Sequence, residues 1–274
     1  MKADLHNHSY FSDGFLSPRE LVSLASEANC DLFSLTDHDT TDGIVEAQLE
    51  ADKVDLNFIN GVEISAFWRN SAIHIIGLGI DIDNDELQTG LEFNKTLRKE
   101  RAKKIALGLW RSGIRDALEK TEKLSGGHML TRTHFAQMLI AEGYCKDMKS
   151  VFRRYLTGRK PGGVGVEWRD FEEVIKWIHS AGGKALIAHP FRYRMTNTKI
   201  KKMLNDFKLA SGDGFEVVNA NSSVEEISLG NQWSEDYNLL ASIGSDFHGW
   251  PNQRVQIGNL ADLQNNSRTI WSYL

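Results

Sequence analysis

Short apolar runs alternate with amphipathic segments over most of the chain. LFSLTDH (32–38), FINGVEIS (58–65), IHIIGLG (73–79), KALIAHP (184–190), FEVVN (215–219) and LLASIGSDFH (239–248) are rich in β-formers and bounded by turn residues. They read as buried strands. Between them, SPRELVSLASEANC offers Ser17 as an N-cap with Pro18 at the first helical position, and DFEEVIKWIHSAGG keeps a helical period until it meets two glycines. Repeated strand–helix units predict an α/β fold around a parallel sheet with right-handed crossovers, open or closed into a barrel.

The alternation stops between about Asp85 and Val166, where nearly every segment has a helical pattern. The expectation is an α/β body made of 1–84 and 167–274, interrupted by a helical insertion over 85–166. Charge adds to this picture. Between Lys95 and Arg115 the insertion carries eight basic residues against one acid, Glu100, although the whole chain has a net charge of -5. A solvated helix face accounts for most such runs; an anion-binding wall is the sharper reading. The overall negative balance argues against gripping long nucleic acid. No apolar run reaches the roughly 18 residues of a membrane span. There is no signal-peptide pattern, and the two cysteines, Cys30 and Cys145, lie in helix-like segments without a CxxC partner. A cytoplasmic protein with reduced thiols is expected.

The strand assignment exposes a regularity in the chemistry. His6, His8, Asp37, His38, Glu63, His189, Asp246 and His248 fall at or just past the carboxyl ends of predicted strands, and His74 falls near the start of another. His6 and His8, spaced i, i+2 on extended chain, point to one face. Ligands of parallel α/β folds gather at the carboxyl edge. Burying so many carboxylates and imidazoles costs several kcal/mol each unless something compensates, and metal ions do. Asp37 and Asp39 can instead be helix caps for a segment starting near Thr41.

DLHNHSYFSDG, LTDHDTTDG, GVEIS, HIIGLG, IAHP and GSDFHG, in that order, resemble the signature elements of the PHP (polymerase and histidinol phosphatase) phosphoesterase superfamily. TRTHFAQMLIAEGY, YLTGRKP, HPFRY and GFEVVN extend the likeness to its TrpH-like, RNase AM branch. The resemblance implies a distorted seven-stranded β/α barrel with up to three divalent ions. It places one ion on His6, His8, Glu63 and Asp246, a second on Glu63 with His74 and His189, and a third on Asp13, His38 and His248. Imidazole and carboxylate donors without thiolate suit Mn²⁺, Fe²⁺ or Zn²⁺, and the resemblance favours Mn²⁺.

Clustered divalent ions without a nucleophilic Ser or Cys imply hydrolysis by hydroxide generated on the metals. Asp37, His38 and Asp39 are the expected catalytic stretch, with the two aspartates orienting ligand or water. Arg132 and His134 sit where LTRTHFAQML opens a helix near Thr133, and helix N-termini bind anions. Family members usually read Arg-Pro-His there, so Thr133 replaces a proline. Arg98, Arg101, Lys160 and Arg192 match further phosphate-contacting positions, whereas His128 and His179 read as structural. The branch implies nucleoside 3′,5′-bisphosphate 3′-phosphatase or 5′-to-3′ exoribonuclease activity on short RNA, with the 5′-phosphate gripped while the 3′ ester is cut. The rivals are a histidinol-phosphate-type phosphomonoesterase, and a non-catalytic metal- or nucleic-acid-binding module.

Overall fold

Seven strands, β1 (Ala3–Asp4), β2 (Leu32–Leu35), β3 (Asn57–Trp68), β4 (Ser71–Leu78), β5 (Lys184–Ile187), β6 (Gly214–Asn219) and β7 (Leu240–Gly244), pair in sequence order in the computed structural model. The structure describes residues 1–251, 254–263 and 267–274. Leu5 N donates to Ile243 O (3.1 Å), Asp246 N to His6 O (2.9 Å) and His8 N to Phe247 O (2.9 Å), so the last strand meets the first and the sheet is a nearly closed barrel. That is the expected seven-stranded α/β barrel.

The sheet is not parallel throughout. β1, β2 and β3 are parallel, as are β5, β6 and β7, but β4 runs antiparallel to both its neighbours. The cause is local. β3 and β4 are joined by a two-residue turn, Arg69 (φ 45°) and Asn70 (φ 63°), and two positive φ values in succession are the backbone of a tight hairpin rather than of a crossover helix. The hairpin also lengthens β3 beyond the expected end at Ser65, leaving Glu63 inside the strand. It sets His74, early in β4, directly opposite Ser65, late in β3. A residue near a strand's start therefore reaches the same rim as residues at other strands' ends.

The described residues form helices α1 (Pro18–Glu27), α2 (Ile44–Val54), α3 (Asp85–Arg111), α4 (Ala117–Leu124), α5 (Arg132–Ala141), α6 (Met148–Val151), α7 (Phe171–Ser180), α8 (Asn197–Leu209) and α9 (Val224–Asp236). Ser17 caps α1 through a reciprocal bond with Glu20, as its sequence predicts. α2 begins at Ile44 with Gly43 as its cap. Asp37 and Asp39 are therefore not its caps. Cys30 and Cys145 are buried free thiols beyond the ends of α1 and α5, not within helices. Among the described residues no helix is long and apolar enough to cross a membrane.

The largest apolar cluster lies between the sheet and α7 to α9, and a second lies under α1 and α2. A third is built by α3 to α6 and the turn that follows them, around Ile105, Leu109, Phe135, Leu139 and Leu156. No β-strand occurs from 79 to 183. Along α3 the inward positions include Leu91, Asn94, Arg98, Ala102, Ile105 and Leu109, so the helical period carries two polar groups, Asn94 and Arg98, onto the buried face.

Candidate metal centre

The polar rim is assembled by backbone turns just beyond the strands. His6 and His8 follow β1 on extended chain, and both rings are wholly buried. The 37–39 segment pairs with β3: Glu63 N donates to Asp37 O (3.1 Å) and Asp39 N to Glu63 O (2.8 Å). His189, Asp246 and Asp39 adopt positive φ (30°, 54° and 47°). Left-handed backbone at non-glycine residues costs energy and recurs where a side chain must be aimed. Gly244 lets β7 come close: a Cβ there would sit 2.3 Å from His6 Cβ and 2.7 Å from Glu216 Oε1.

Glu63 is the hub of the rim. Its Oε1 lies 2.9 Å from His74 Nδ1 and 3.1 Å from His189 Nε2. Its Oε2 lies 3.3 Å from His6 Nε2, 3.2 Å from His8 Nε2 and 2.8 Å from His38 Nδ1. His6 Nε2 and His8 Nε2 are 3.0 Å apart, and Asp246 Oδ1 lies 3.5 Å from the first and 3.1 Å from the second. Asp13 Oδ1 is 3.3 Å from His248 Nε2 and 3.7 Å from His38 Nε2. All nine expected ligands are thus brought together. The donor groups close enough to share an ion overlap: His6, His8 and Glu63; His38, Glu63 and His74; His8, Asp13, His38 and His248.

The cluster is unsatisfied in the way a metal site is. Among the described residues six buried side-chain polar atoms lack a hydrogen bond, and four of them are here: Asp13 Oδ1, His38 Nδ1, Glu63 Oε2 and His189 Nδ1. Glu63 Oε2 and His38 Nδ1 are 2.8 Å apart without the alignment of a hydrogen bond. Unpaired buried polar atoms are costly and rare, so four in one cluster call for a shared partner. Burial would favour the neutral acids, yet the surrounding imidazoles hold Asp13, Glu63 and Asp246 well below the usual carboxylate range. Burial pushes His38 down to about 4, leaving it neutral with a lone pair to give. For His8 burial is outweighed by Asp246 and Glu63, which raise it to about 10. Edges of about 3.3–3.6 Å are what four donors around one ion at about 2.0–2.2 Å would show, and the His6–His8–Glu63–Asp246 spacings of 3.0–3.5 Å are close to that. The donor set fits divalent metal.

Asp37 and Asp39 face away from these donors. Asp37 accepts from Ser9 N (2.8 Å), Ser9 Oγ (2.6 Å) and Ser12 Oγ (2.6 Å), which pins the loop carrying His8 and Asp13. Asp39 accepts from Ser65 N (2.8 Å), Asn94 Nδ2 (2.8 Å) and Arg98 Nε (2.6 Å), which ties α3 to β3.

Glu216 was not anticipated, although GFEVVN places an acid in an otherwise apolar strand. Its Oε1 accepts from His6 Nδ1 (2.9 Å) and its Oε2 from His189 N (2.6 Å), so it fixes which nitrogen of His6 faces inward. Carboxylates behind metal-ligating histidines typically contribute 10- to 100-fold in affinity or activity. Glu216→Gln is accordingly expected to lower kcat/KM by roughly tenfold or more, and added metal should restore part of the loss; activity titrated against metal concentration checks this.

Two cavities open over the cluster. One, of about 490 Å³, runs from Asp13, His38 and His74 to Arg98, Arg101, Arg132 and Trp168. Arg98 is bound to Asp39 and Ser65 Oγ. Arg101 donates Nε to Val164 O (3.1 Å), and Arg132 stacks on Phe152 (5.8 Å). Among the described residues neither has a carboxylate within ion-pair distance. Burial and the neighbouring Arg132 and Arg98 push Arg101 down to about 9, still charged at neutral pH. His134 is buried, and its Nδ1 accepts from Thr131 N (3.2 Å) at the start of α5. Lys160 sits on an exposed loop outside the lining, and Arg192 pairs with Asp246. His128 stacks on Tyr10 and meets Phe11 edge-on, and His179 bonds Asp213.

A nearly closed α/β barrel whose rim gathers six imidazoles and two further carboxylates around one glutamate defines a class of proteins with a cluster of metal-ligating side chains at a barrel mouth. The chain belongs to the PHP domain family, whose model matches residues 4–188. Among curated relatives, it is 40% identical over 272 residues (99% of this chain, 95% of the relative) to a protein of Chromobacterium violaceum named 3′,5′-nucleoside bisphosphate phosphatase. It is 38% identical over 273 residues (98% of each) to a 5′-3′ exoribonuclease of Haemophilus influenzae. A solved structure from C. violaceum, described as an amidohydrolase with bound sulfate and no metal, superposes with a TM-score of 0.94 at 40% identity, covering 99% of this chain and 95% of that one.

Proposed function

We propose that this protein is a metal-dependent phosphoesterase that removes the 3′-phosphate from nucleoside 3′,5′-bisphosphates and cuts short 5′-phosphorylated RNA from its 5′ end. The observation that carries this reading is one cavity that reaches the donor cluster at Asp13, His38 and His74 and, at its other end, the guanidiniums of Arg101 and Arg132, which have no carboxylate partner among the described residues. A substrate with two phosphates satisfies both ends at once. The names of the relatives support the same chemistry.

In this reading His6, His8, Glu63 and Asp246, then Glu63, His74 and His189, then Asp13, His38 and His248 hold up to three ions, with Mn²⁺ as the proposed metal. The ions supply charge neutralisation and a water whose pKa falls towards about 7. The remaining work is positioning. Arg101 and Arg132 hold the 5′-phosphate, which fixes the nucleotide so that its 3′ ester lies over the cluster. Arg98, locked by Asp39, completes the positive wall, and His134 and Arg192 border the phosphates. Asp37 and Asp39 hold the loops in register, and His38 touches the reacting end. The helical segment 85–166 acts as the cap that supplies the arginines. We place the protein in the cytoplasm, in keeping with its two free, buried thiols.

The test is hydrolysis of adenosine 3′,5′-bisphosphate by metal-loaded enzyme, with release of AMP and phosphate. Arg101→Ala and Arg132→Ala should each lower kcat/KM for it by about 1–3 kcal/mol, the scale of a charged hydrogen bond, and should leave the smaller loss on a substrate without the 5′-phosphate. Equal losses on both substrates, or none, would favour a simple phosphomonoesterase.

A further inference from the structure

Resting on the reading just given, we infer that the rim over β5 to β7 receives the nucleoside downstream of the scissile phosphate. A second cavity, of about 450 Å³, shares Asp13, His38 and His74 with the arginine cavity but extends the other way. The arginine cavity lies over the β2–β4 half of the rim, where Phe67 and Ala72 of the hairpin line it. The second has the donors Glu63, His189, Asp246 and His248 on its floor and, beyond them, walls of Tyr193, Asn221, Trp250 and Val255, with Met148 contributed from α6. Its volume is within the roughly 300–1,000 Å³ of small-molecule sites.

The two cavities differ in chemistry. The second has one guanidinium, Arg192, and that group is already paired with Asp246. Beyond the donor floor and Arg192 beside it, this cavity offers no further cation for another phosphate. Aromatic and aliphatic walls with a side-chain amide suit a base and a ribose. Trp250 is held in place there: its Nε1 donates to Asp13 O (2.8 Å) and its ring lies 4.9 Å from that of His248, tilted by 57°. A fixed indole is a preorganised stacking platform.

The bond chemistry explains why one centre needs both cavities. In a 3′,5′-bisphosphate the bond broken is O3′–P: the water oxygen goes to phosphorus and a proton goes to O3′. In 5′-phosphorylated RNA the same bond breaks with the same balance. The only difference is that one of the spectator oxygens on phosphorus now carries the next nucleoside through its 5′-oxygen. A monoester places only its scissile phosphate at the donor floor and leaves the outer part of the second cavity, beside Asn221 and Trp250, empty, whereas a diester must fill it. The shortened RNA keeps the phosphorus as a new 5′-phosphate, which is the group the arginine cavity selects.

The readout is the ratio of kcat/KM for the 5′-phosphorylated dinucleotide pApA to that for adenosine 3′,5′-bisphosphate, measured on metal-loaded enzyme. Asn221 is exposed on the turn after β6, so a larger side chain there adds bulk to the cavity mouth without disturbing the core. Asn221→Trp should lower the ratio about tenfold or more, as loss of a stacked base does. On unaltered enzyme, pApA should be cut roughly tenfold better than the same dinucleotide lacking its downstream base. An unchanged ratio in Asn221→Trp together with equal rates with and without that base overturns the inference while the bisphosphatase reading stands. Failure of the unaltered enzyme to hydrolyse adenosine 3′,5′-bisphosphate overturns both.

Discussion

Glu63→Gln should reduce kcat/KM for adenosine 3′,5′-bisphosphate by roughly a thousandfold or more, about 4 kcal/mol, the scale of charge stabilisation by a metal centre. The substitution keeps shape and volume and removes only the charge. In this structure that charge faces five imidazoles, His74 and His189 on one oxygen and His6, His8 and His38 on the other. An amide can offer an oxygen on one side alone, and its NH₂ would point donors at nitrogens that must keep their lone pairs free. Metal per chain, measured by elemental analysis on the same preparation, should fall with activity. Full metal content with near-normal turnover would show that Glu63 merely satisfies neighbouring histidines and would remove the basis of the proposed centre.

Asp39→Ala should destabilise the fold by about 3–5 kcal/mol, the cost of leaving a buried charge without its partner. Arg98 is 7% exposed, its guanidinium lies 2.6 Å from the Asp39 carboxylate, and Ser65 N and Asn94 lose the same acceptor. For a chain of this size that corresponds to a fall in Tm of roughly 10 °C. The double variant Asp39→Ala, Arg98→Met, which removes both charges, should recover part of the loss. Acid provides an independent reading. Burial would raise the pKa of Asp39, but Arg98, Ser65 N and Asn94 hold it below 3.8. A folded-state pKa depressed below the unfolded value adds stability above that pH, and the contribution disappears as pH falls through the folded value. Unaltered protein should therefore lose this increment progressively as pH falls below the ordinary aspartate range and through the lower folded value, and Asp39→Ala should lack it at every pH. Denaturant unfolding of both proteins at pH 7 and pH 3 measures it. A single variant as stable as the parent would mean that Arg98 finds water or another acceptor.

Much of the rim was legible because the signals are local. The DLHNH spacing puts two imidazoles on one face of an extended chain, TDHD, IAHP and SDFH each place a donor beside a strand end, and GVEIS places one within a strand. The helical period expected over 85–166 was legible as far as Leu156, after which 157–166 runs as turns and irregular chain rich in glycine, and Ser17-Pro18 was legible from cap chemistry. The reversal of β4 was not. Its turn is Arg69-Asn70 rather than the Asn-Gly or Asp-Gly pair that marks tight hairpins, and an apolar run has no direction. Glu216 was passed over because one acid in a buried strand carries no periodic signal. Arg98 was read as reaching for phosphate, and its helical position could not show that Asp39, 59 residues away, holds it.

The order and kinds of donor are properties of the chain itself. Alternation along strands and the 3.6-residue period of helices are short-range consequences of backbone geometry, so sequence alone determined that histidines and acids would collect at one barrel mouth. Which oxygen of Glu63 faces which ring, that His74 arrives from an antiparallel strand, and that two guanidiniums have no carboxylate partner among the described residues were decided only by tertiary structure. Those features depend on contacts between residues tens to hundreds of positions apart, where burial strengthens each interaction and closure of β7 on β1 sets the spacing.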